Sequence, residues 1–301
     1  MNLNFPDDIF QPNENKKAIY EYAVKQGDKL CKDKSILFCG IARNVGECLE
    51  RNILCLHQCG KLFKDYQIFI YENDSSDHTV DILKLNESEN FQYVSEHRED
   101  QNYRIDLDNG VDPWHSKRCE ILADCRNKYL EYFKNSRYDY ICVLDLDLKG
   151  SWSFDGFKHA IFTLNNNDEY GCVSAYGVLS DSTGNLLLED NPKEQYIMYD
   201  SFAYRPKDWN GSIHLIRTPM FNRNYFERGD DPVEVASNFG GMSIYKREAI
   251  IDCVYGAKEW KEGHVDPDHV VLHRQMRDHN WKIILDPSFI VSYSHHKFSR
   301  S

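Results

Sequence analysis

The chain has 301 residues, with 41% hydrophobic and 28% charged side chains and a formal net charge of −12. That length and balance suit one large soluble α/β domain or two modest ones. The acidic excess argues against a nucleic-acid-coating surface, and no apolar stretch approaches the ~20 residues of a membrane helix.

The elements follow in chain order. The opening "MNLNFPDDIF" lacks a basic n-region followed by an apolar h-region, so no secretory signal is read and the chain is expected to be cytoplasmic. Residues 1–34 are polar and mixed, and they predict an N-terminal extension with a short helix. "SILFCGIA" (35–42) is a continuous apolar run, as expected for a strand buried on both faces. Val45, Leu49, Ile53, Leu56, Gly60 and Phe63 then recur every three or four positions, which predicts a helix packed back on the sheet. "YQIFIYE" (66–72) is a second strand, "SSDHTVDILK" opens a helix with cap-type residues, and "FQYV" (91–94) is a third strand. Residues 95–116 read as an irregular loop. Ile121, Leu122, Cys125, Tyr129, Tyr132 and Phe133 then mark an amphipathic helix.

"YICVLDLDLKG" (140–150) follows that helix. An apolar strand here ends in two carboxylates, Asp145 and Asp147, on one side of the chain. Like charges that close repel unless something positive lies between them. A hard divalent cation held by oxygen meets that need.

Strand alternating with helix through residue 150 predicts a doubly wound parallel sheet, with ligands beyond its carboxyl ends. The second half is more mixed. Strands are expected at 170–177, 238–245, 281–285 and 288–293, and helices near 153–164, 246–254 and 266–279. No linker is evident. Residues 35–301 are read as a single domain with two unequal halves, 35–150 and 151–301.

The ten cysteines lie mostly in strand-like or helix-like apolar runs, as reduced, buried cysteines do. "CLHQC" (Cys55, His57, Cys59) has no second Cys/His pair at finger spacing, so it is read as structural.

In this order, "ILFCGIARN", "ENDSSDHT", "RCEILADCRNKYL" and "VLDLDL" resemble the GT-A class of nucleotide-sugar glycosyltransferases. The resemblance implies an α/β, Rossmann-like fold: a central, mostly parallel sheet flanked by helices, with a nucleotide-binding half at 35–150 and a more mixed acceptor and sugar half at 151–301. It implies that Ala42, Arg43, Glu72, Asp74, Asp77, Arg118, Arg126, Asn127 and Leu146 contact the nucleotide. It also implies that Asp145 and Asp147, with His295 of "YSHH" (293–296), hold Mn²⁺ or Mg²⁺ on the diphosphate. "NFGGMSIYKREAI" (238–250) is similar to the segment lining the sugar and acceptor pocket, which points to Gly240, Gly241 and Met242. "VDPDHVVLHRQMRDHNWKIILDP" (265–287) is similar to the helix that carries an acidic catalytic residue, followed by a strand, with Asp266, Asp268 and His269 as candidates. Asp266 before Pro267 reads as an N-cap, so the base role is expected of Asp268.

The implied partners are a nucleoside-diphosphate sugar, UDP-linked or else GDP-linked, and a glycan or other hydroxyl acceptor. An inverting enzyme would need the base and a retaining one would not. Two rivals compete. Strand plus Asp-x-Asp also resembles haloacid-dehalogenase-like phosphatases, with Gly229-Asp230-Asp231 as their late metal acids. A degenerate sugar-binding protein would suit the 19 Tyr and 5 Trp. Against the phosphatase, about 140 residues precede Asp145, and Leu148-Lys149 stands where a small turn is usual. Retention of both acids weighs against the degenerate binder.

Overall fold

The computed structural model describes residues 5, 7, 9–98, 116–180, 198–200, 202–209, 226–259 and 265–294. Helices and strands alternate first: α1 (Glu14–Cys31), β1 (Ser35–Ala42), α2 (Gly46–Gly60), β2 (Asp65–Asn73), α3 (Thr79–Asn86), β3 (Phe91–Glu96), α4 (Ser116–Lys134), β4 (Tyr140–Leu144), α5 (Phe154–Asn165) and β5 (Tyr170–Ser180). Then come β6 (Arg205–Pro206), β7 (Val233–Ser237), β8 (Met242–Lys246), α6 (Arg247–Ile250), β9 (Lys258–Glu259), β10 (Val265–Asp266), α7 (Asp268–Asp278) and β11 (Lys282–Ser294).

Among the described residues, nine strands form one sheet in the order β3-β2-β1-β4-β8-β5-β11-β7-β6. The β3-β2-β1-β4 block is parallel throughout, and β5 is parallel to β11. Strand β8 runs antiparallel between β4 and β5, and β7 runs antiparallel to β11 and β6. Because β1, β2 and β4 are parallel, their carboxyl ends share one edge of the sheet.

Successive side chains of a strand face opposite sides, so each apolar run feeds two cores. Ile36, Phe38, Ile70 and Leu144 meet Leu49 and Ile53 of α2 and Phe157 and Ile161 of α5. Leu37, Cys39, Ile141 and Val143 meet Tyr129 and Phe133 of α4 and Leu272 and Met276 of α7. Burial on both faces is why these strands read as unbroken hydrophobic runs.

Several elements differ from expectation. The N-terminal helix has 18 residues and packs along α5. Tyr20 stacks on His159 there, and Gly27 sits so close that a Cβ would meet the Lys158 carbonyl at 1.8 Å. Residues 281–285 and 288–293 belong to one strand, β11. A bulge between Asp286 and Ile290 absorbs Pro287, which has no N–H to pair. Residues 238–241 are not strand. Gly240 and Gly241 have φ of +60° and +85° and turn the chain into β8. The helix expected over 246–254 is the single turn α6. Among the described residues no helix is long and apolar enough to cross a membrane. All ten cysteines are free and buried, and Cys59 accepts from Trp152 Nε1 at 3.3 Å.

Candidate functional site

A cleft of about 670 Å³ opens at the carboxyl ends of β1, β2 and β4. The β1–α2 loop brings Arg43 and Asn44 to it, β2 brings Asn73, and α4 brings Arg118 and Arg126. Asp145 and Asp147 line it just past the end of β4, and Tyr199, Asp200, Asp268, His269 and Tyr293 line its far side.

The acid pair is held on several sides. The Asp145 N–H donates to the Gly241 carbonyl at 3.0 Å. Tyr199 Oη donates to Asp145 Oδ2 at 3.0 Å, and Arg126 Nη2 reaches Oδ1 at 3.4 Å. Tyr293 Oη donates to Asp147 Oδ2 at 3.1 Å. Leu146, between the acids, is 1% exposed and packs over Gly40, while its carbonyl accepts from Asn52 Nδ2 at 3.0 Å. Burial, and then the charge of Asp147, push the Asp145 carboxyl up to about 6. The surrounding protein also raises Asp147, although its side chain reaches the cleft mouth.

Asp145, Asp147, Asp200 and Asp268 share the cleft lining with Arg43, Arg118, Arg126 and Lys149. Among the described residues no cluster of three or more His, Cys, Asp or Glu is disposed to hold a metal alone. The donors nevertheless fit Mn²⁺ or Mg²⁺, which bind hard oxygen ligands and often take only one or two carboxylates beside substrate phosphates and water. His295 lies outside the described residues.

The "ENDSSDHT" carboxylates are engaged by the surrounding backbone. Glu72, Asp74 and Asp77 do not line the cleft, whereas Asn73 does. Glu72 is 1% exposed and accepts from the Ser75 N–H at 2.7 Å and from Ser95 Oγ. Asp74, at φ +53°, accepts from the Arg98 N–H at 3.2 Å and pairs with His97 Nδ1 at 2.5 Å. Asp77 accepts from the Gly46 N–H at 3.0 Å and the Thr79 N–H at 2.9 Å. Burial raises the Asp77 carboxyl, and bonds from Thr79 and Gly46 more than offset it, leaving it below its ordinary value. The Asn44 N–H donates to Ser75 Oγ at 3.0 Å, Asn44 Oδ1 accepts from the Ser76 N–H at 2.7 Å, and the Val45 N–H donates to Thr79 Oγ1 at 2.9 Å. The segment is therefore a latch that fixes the β1–α2 loop against the cleft. Ala42, 1% exposed, lies at the base of that loop and, like Arg43, lines the cleft.

Helix α4 splits the expected Arg-Asn pair. Arg126 turns into the cleft, whereas Asn127 turns away. The Asn127 amide brackets Tyr255, donating to its carbonyl at 3.0 Å and accepting from its N–H at 2.8 Å.

The C-terminal candidates separate as well. Helix α7 begins at Asp268 with Pro267 as its cap. Asp266 is therefore not the N-cap. It is 1% exposed and paired to Arg205 at 3.0 Å and Arg274 at 2.6 Å, away from the cleft. Asp268, 5% exposed, lines the cleft with its Oδ2 2.5 Å from Arg126 Nε. His269 stacks on Phe239 at 3.8 Å, and burial, then Arg126, hold its pKa well below the ordinary value, so the ring is neutral. Neither ring nitrogen has a hydrogen-bond partner among the described residues.

The double glycine does not line the cleft. A Cβ on Gly240 would stand 2.1 Å from the Ala175 carbonyl, and one on Gly241 would stand 3.3 Å from Tyr199 Cε1. Met242 is fully buried in β8. Asp230, of the segment weighed as phosphatase metal acids, pairs with Lys16 of α1 and is not in the cleft.

Sequence reasoning missed Tyr199, Asp200 and Phe239. Asp200 lines the cleft at φ +62°, and burial, then Asp145, push its carboxyl up to about 8. Nothing in the local pattern marked Tyr199 and Asp200, because their segment has no periodicity.

No family model matches the chain, and comparison with curated proteins by sequence finds no match. Solved structures do match in fold. One is the mannosyltransferase PcManGT from Pyrobaculum calidifontis in complex with GDP-Man and Mn²⁺, at 11% identity and TM-score 0.50, over 95% of this chain and 68% of that one. Another is GalNAc-T7 with UDP, GalNAc and Mn²⁺, at 10% identity and TM-score 0.50, over 97% of this chain and 55% of that one. A mycobacterial protein matches at 11% identity and TM-score 0.50, over 92% of this chain and 72% of that one.

Proposed function

We propose that the chain, which has the α/β GT-A fold of nucleotide-sugar glycosyltransferases, is a metal-dependent glycosyltransferase that moves a sugar from a nucleoside diphosphate to a hydroxyl acceptor. The observation that carries this reading is the acid pair Asp145/Asp147 in a cleft at the carboxyl edge of the parallel strands, where ligands of such sheets bind. Two of the structures similar in fold were solved with GDP-Man or UDP and with Mn²⁺.

In this reading Asp145 and Asp147 hold Mn²⁺ or Mg²⁺, which when bound neutralises charge on the leaving diphosphate. Arg43 and Arg118 add positive charge along the same cleft. The neutral ring of His269 offers one donor and one acceptor to a sugar hydroxyl. For an inverting transfer, Asp200 is a candidate base in the same cleft. A base works best with a pKa near the operating pH, and Asp200 sits at about 8. Its Oδ1 accepts the Ala203 N–H at 3.3 Å, which leaves Oδ2 for the acceptor proton. Asp268, tied to Arg126, orients that guanidinium.

Calorimetry of UDP and GDP with and without Mn²⁺ tests the reading. Binding should require the cation, and Asp145→Ala/Asp147→Ala should abolish it in a folded protein. Cation-independent binding of equal strength in that variant would sink the assignment. Asp200→Asn should keep donor binding and lose transfer by ~10²–10⁴-fold.

A further inference from the structure

Tyr199 and Tyr293 come from distant segments and meet face to face. Their ring centroids are 4.0 Å apart and their planes 8° from parallel. One hydroxyl donates to Asp145 Oδ2 at 3.0 Å and the other to Asp147 Oδ2 at 3.1 Å. Each acid has its own donor, and the stack locks the two donors together.

Both rings are set by the fold. The Tyr199 N–H donates to the Gly177 carbonyl at 2.9 Å. A Cβ on Gly177 would stand 3.1 Å from Tyr199 Cβ, and one on Gly241 3.3 Å from Cε1, so two glycines make room for this ring. Tyr293 belongs to β11, in parallel register with Leu179 of β5.

We propose that the Tyr199–Tyr293 stack is a positioning device for the cation. By holding Oδ2 of each carboxylate it fixes the rotation of both groups, which leaves Oδ1 of Asp147, and Oδ1 of Asp145 with its longer 3.4 Å contact to Arg126, to meet a cation. Divalent-cation affinity then depends on two hydroxyls that are not themselves ligands. The inference rests on reading Asp145 and Asp147 as the cation-binding pair.

The physical reason is rotational freedom. Two unsupported carboxylates this close would swing apart to reduce their repulsion. Partners that orient metal-binding carboxylates typically matter 10–100-fold in metal affinity. A stack serving only as packing would need no hydroxyls, and Phe would do as well.

The test uses Tyr199→Phe, Tyr293→Phe and the double variant, all of which keep the rings. Mn²⁺ uptake is titrated by electron paramagnetic resonance, with and without saturating UDP or GDP, and metal-free melting is measured alongside. Each single variant should lose about 10-fold in Mn²⁺ affinity, with metal-free melting unchanged. The loss should be larger for Mg²⁺ than for Ca²⁺, because Mg²⁺ demands stricter ligand geometry. Affinity within twofold of wild type in both single variants overturns the proposal. So does an equal loss for Mg²⁺ and Ca²⁺ accompanied by lower metal-free melting, which marks a purely structural role. Wild-type protein that takes up no Mn²⁺ under any condition overturns instead the cation-site reading beneath it.

Discussion

Arg126 Nε lies 2.5 Å from Asp268 Oδ2, and the same guanidinium reaches Asp145 Oδ1 at 3.4 Å. One buried cation thus ties the start of α7 to the acid pair after β4. Its side chain is also covered by the Phe239 and Tyr255 rings, at 5.3 and 6.0 Å. Arg126→Ala would leave Asp268 buried and uncompensated, and breaking such a pair costs about 3–5 kcal/mol. Urea unfolding should show a loss of that order. A loss below about 1 kcal/mol would mean that the pair is effectively solvated.

Asp266 gives the sharpest contrast between a sequence expectation and the fold. As an N-cap it would tolerate Asn, which caps as well as Asp. Held instead between Arg205 and Arg274 and 1% exposed, Asp266→Asn should lower stability by about 3–5 kcal/mol. Its effect on activity should follow from unfolding, so activity per folded molecule should persist. A stable but inactive Asp266→Asn would return Asp266 to the chemistry.

The acids of the cleft predict a pH dependence with a definite sign. Burial, then Asp145, raise Asp200 from an ordinary 3.8 to about 8. A carboxyl raised in the folded state contributes stability below its ordinary pKa and loses it as pH rises through the folded value. Asp200→Asn, which never ionises, should therefore gain stability relative to wild type between about pH 4 and pH 8. The gain should be on the order of 1–3 kcal/mol, discounted for the partly solvated cleft. Paired melts across that range measure it, and a flat difference would contradict the assigned environment.

Gly240 tests the role of the double glycine. Its φ is +60°, and a Cβ would stand 2.1 Å from the Ala175 carbonyl. Gly240→Ala should cost at least the ~1–3 kcal/mol of a strained left-handed residue. It should also weaken Mn²⁺ uptake, because the Gly241 carbonyl next to it accepts the Asp145 N–H. Unchanged melting would show that the turn can relax.

Much of this protein could be read from its own residues. "SILFCGIA", "YQIFIYE" and "YICVL" had to be two-faced strands because nothing polar interrupts them, and β1, β2 and β4 stand there. Asp145 and Asp147 announced a site because a buried strand does not end in two acids without a reason. What each polar residue near that site does was decided only by the tertiary structure. Glu72, Asp74 and Asp77 are the right types to bind a nucleoside, but backbone N–H groups claim them first. Asn127 follows Arg126 by one position, about 100° around the helix, so it faces Tyr255 instead of the cleft. Tyr199 and Tyr293 meet only because the sheet brings their segments together. Periodicity reports which face of an element is buried, since burial is set by local spacing. A hydrogen-bond partner is set by where distant backbone arrives, and no local pattern carries that.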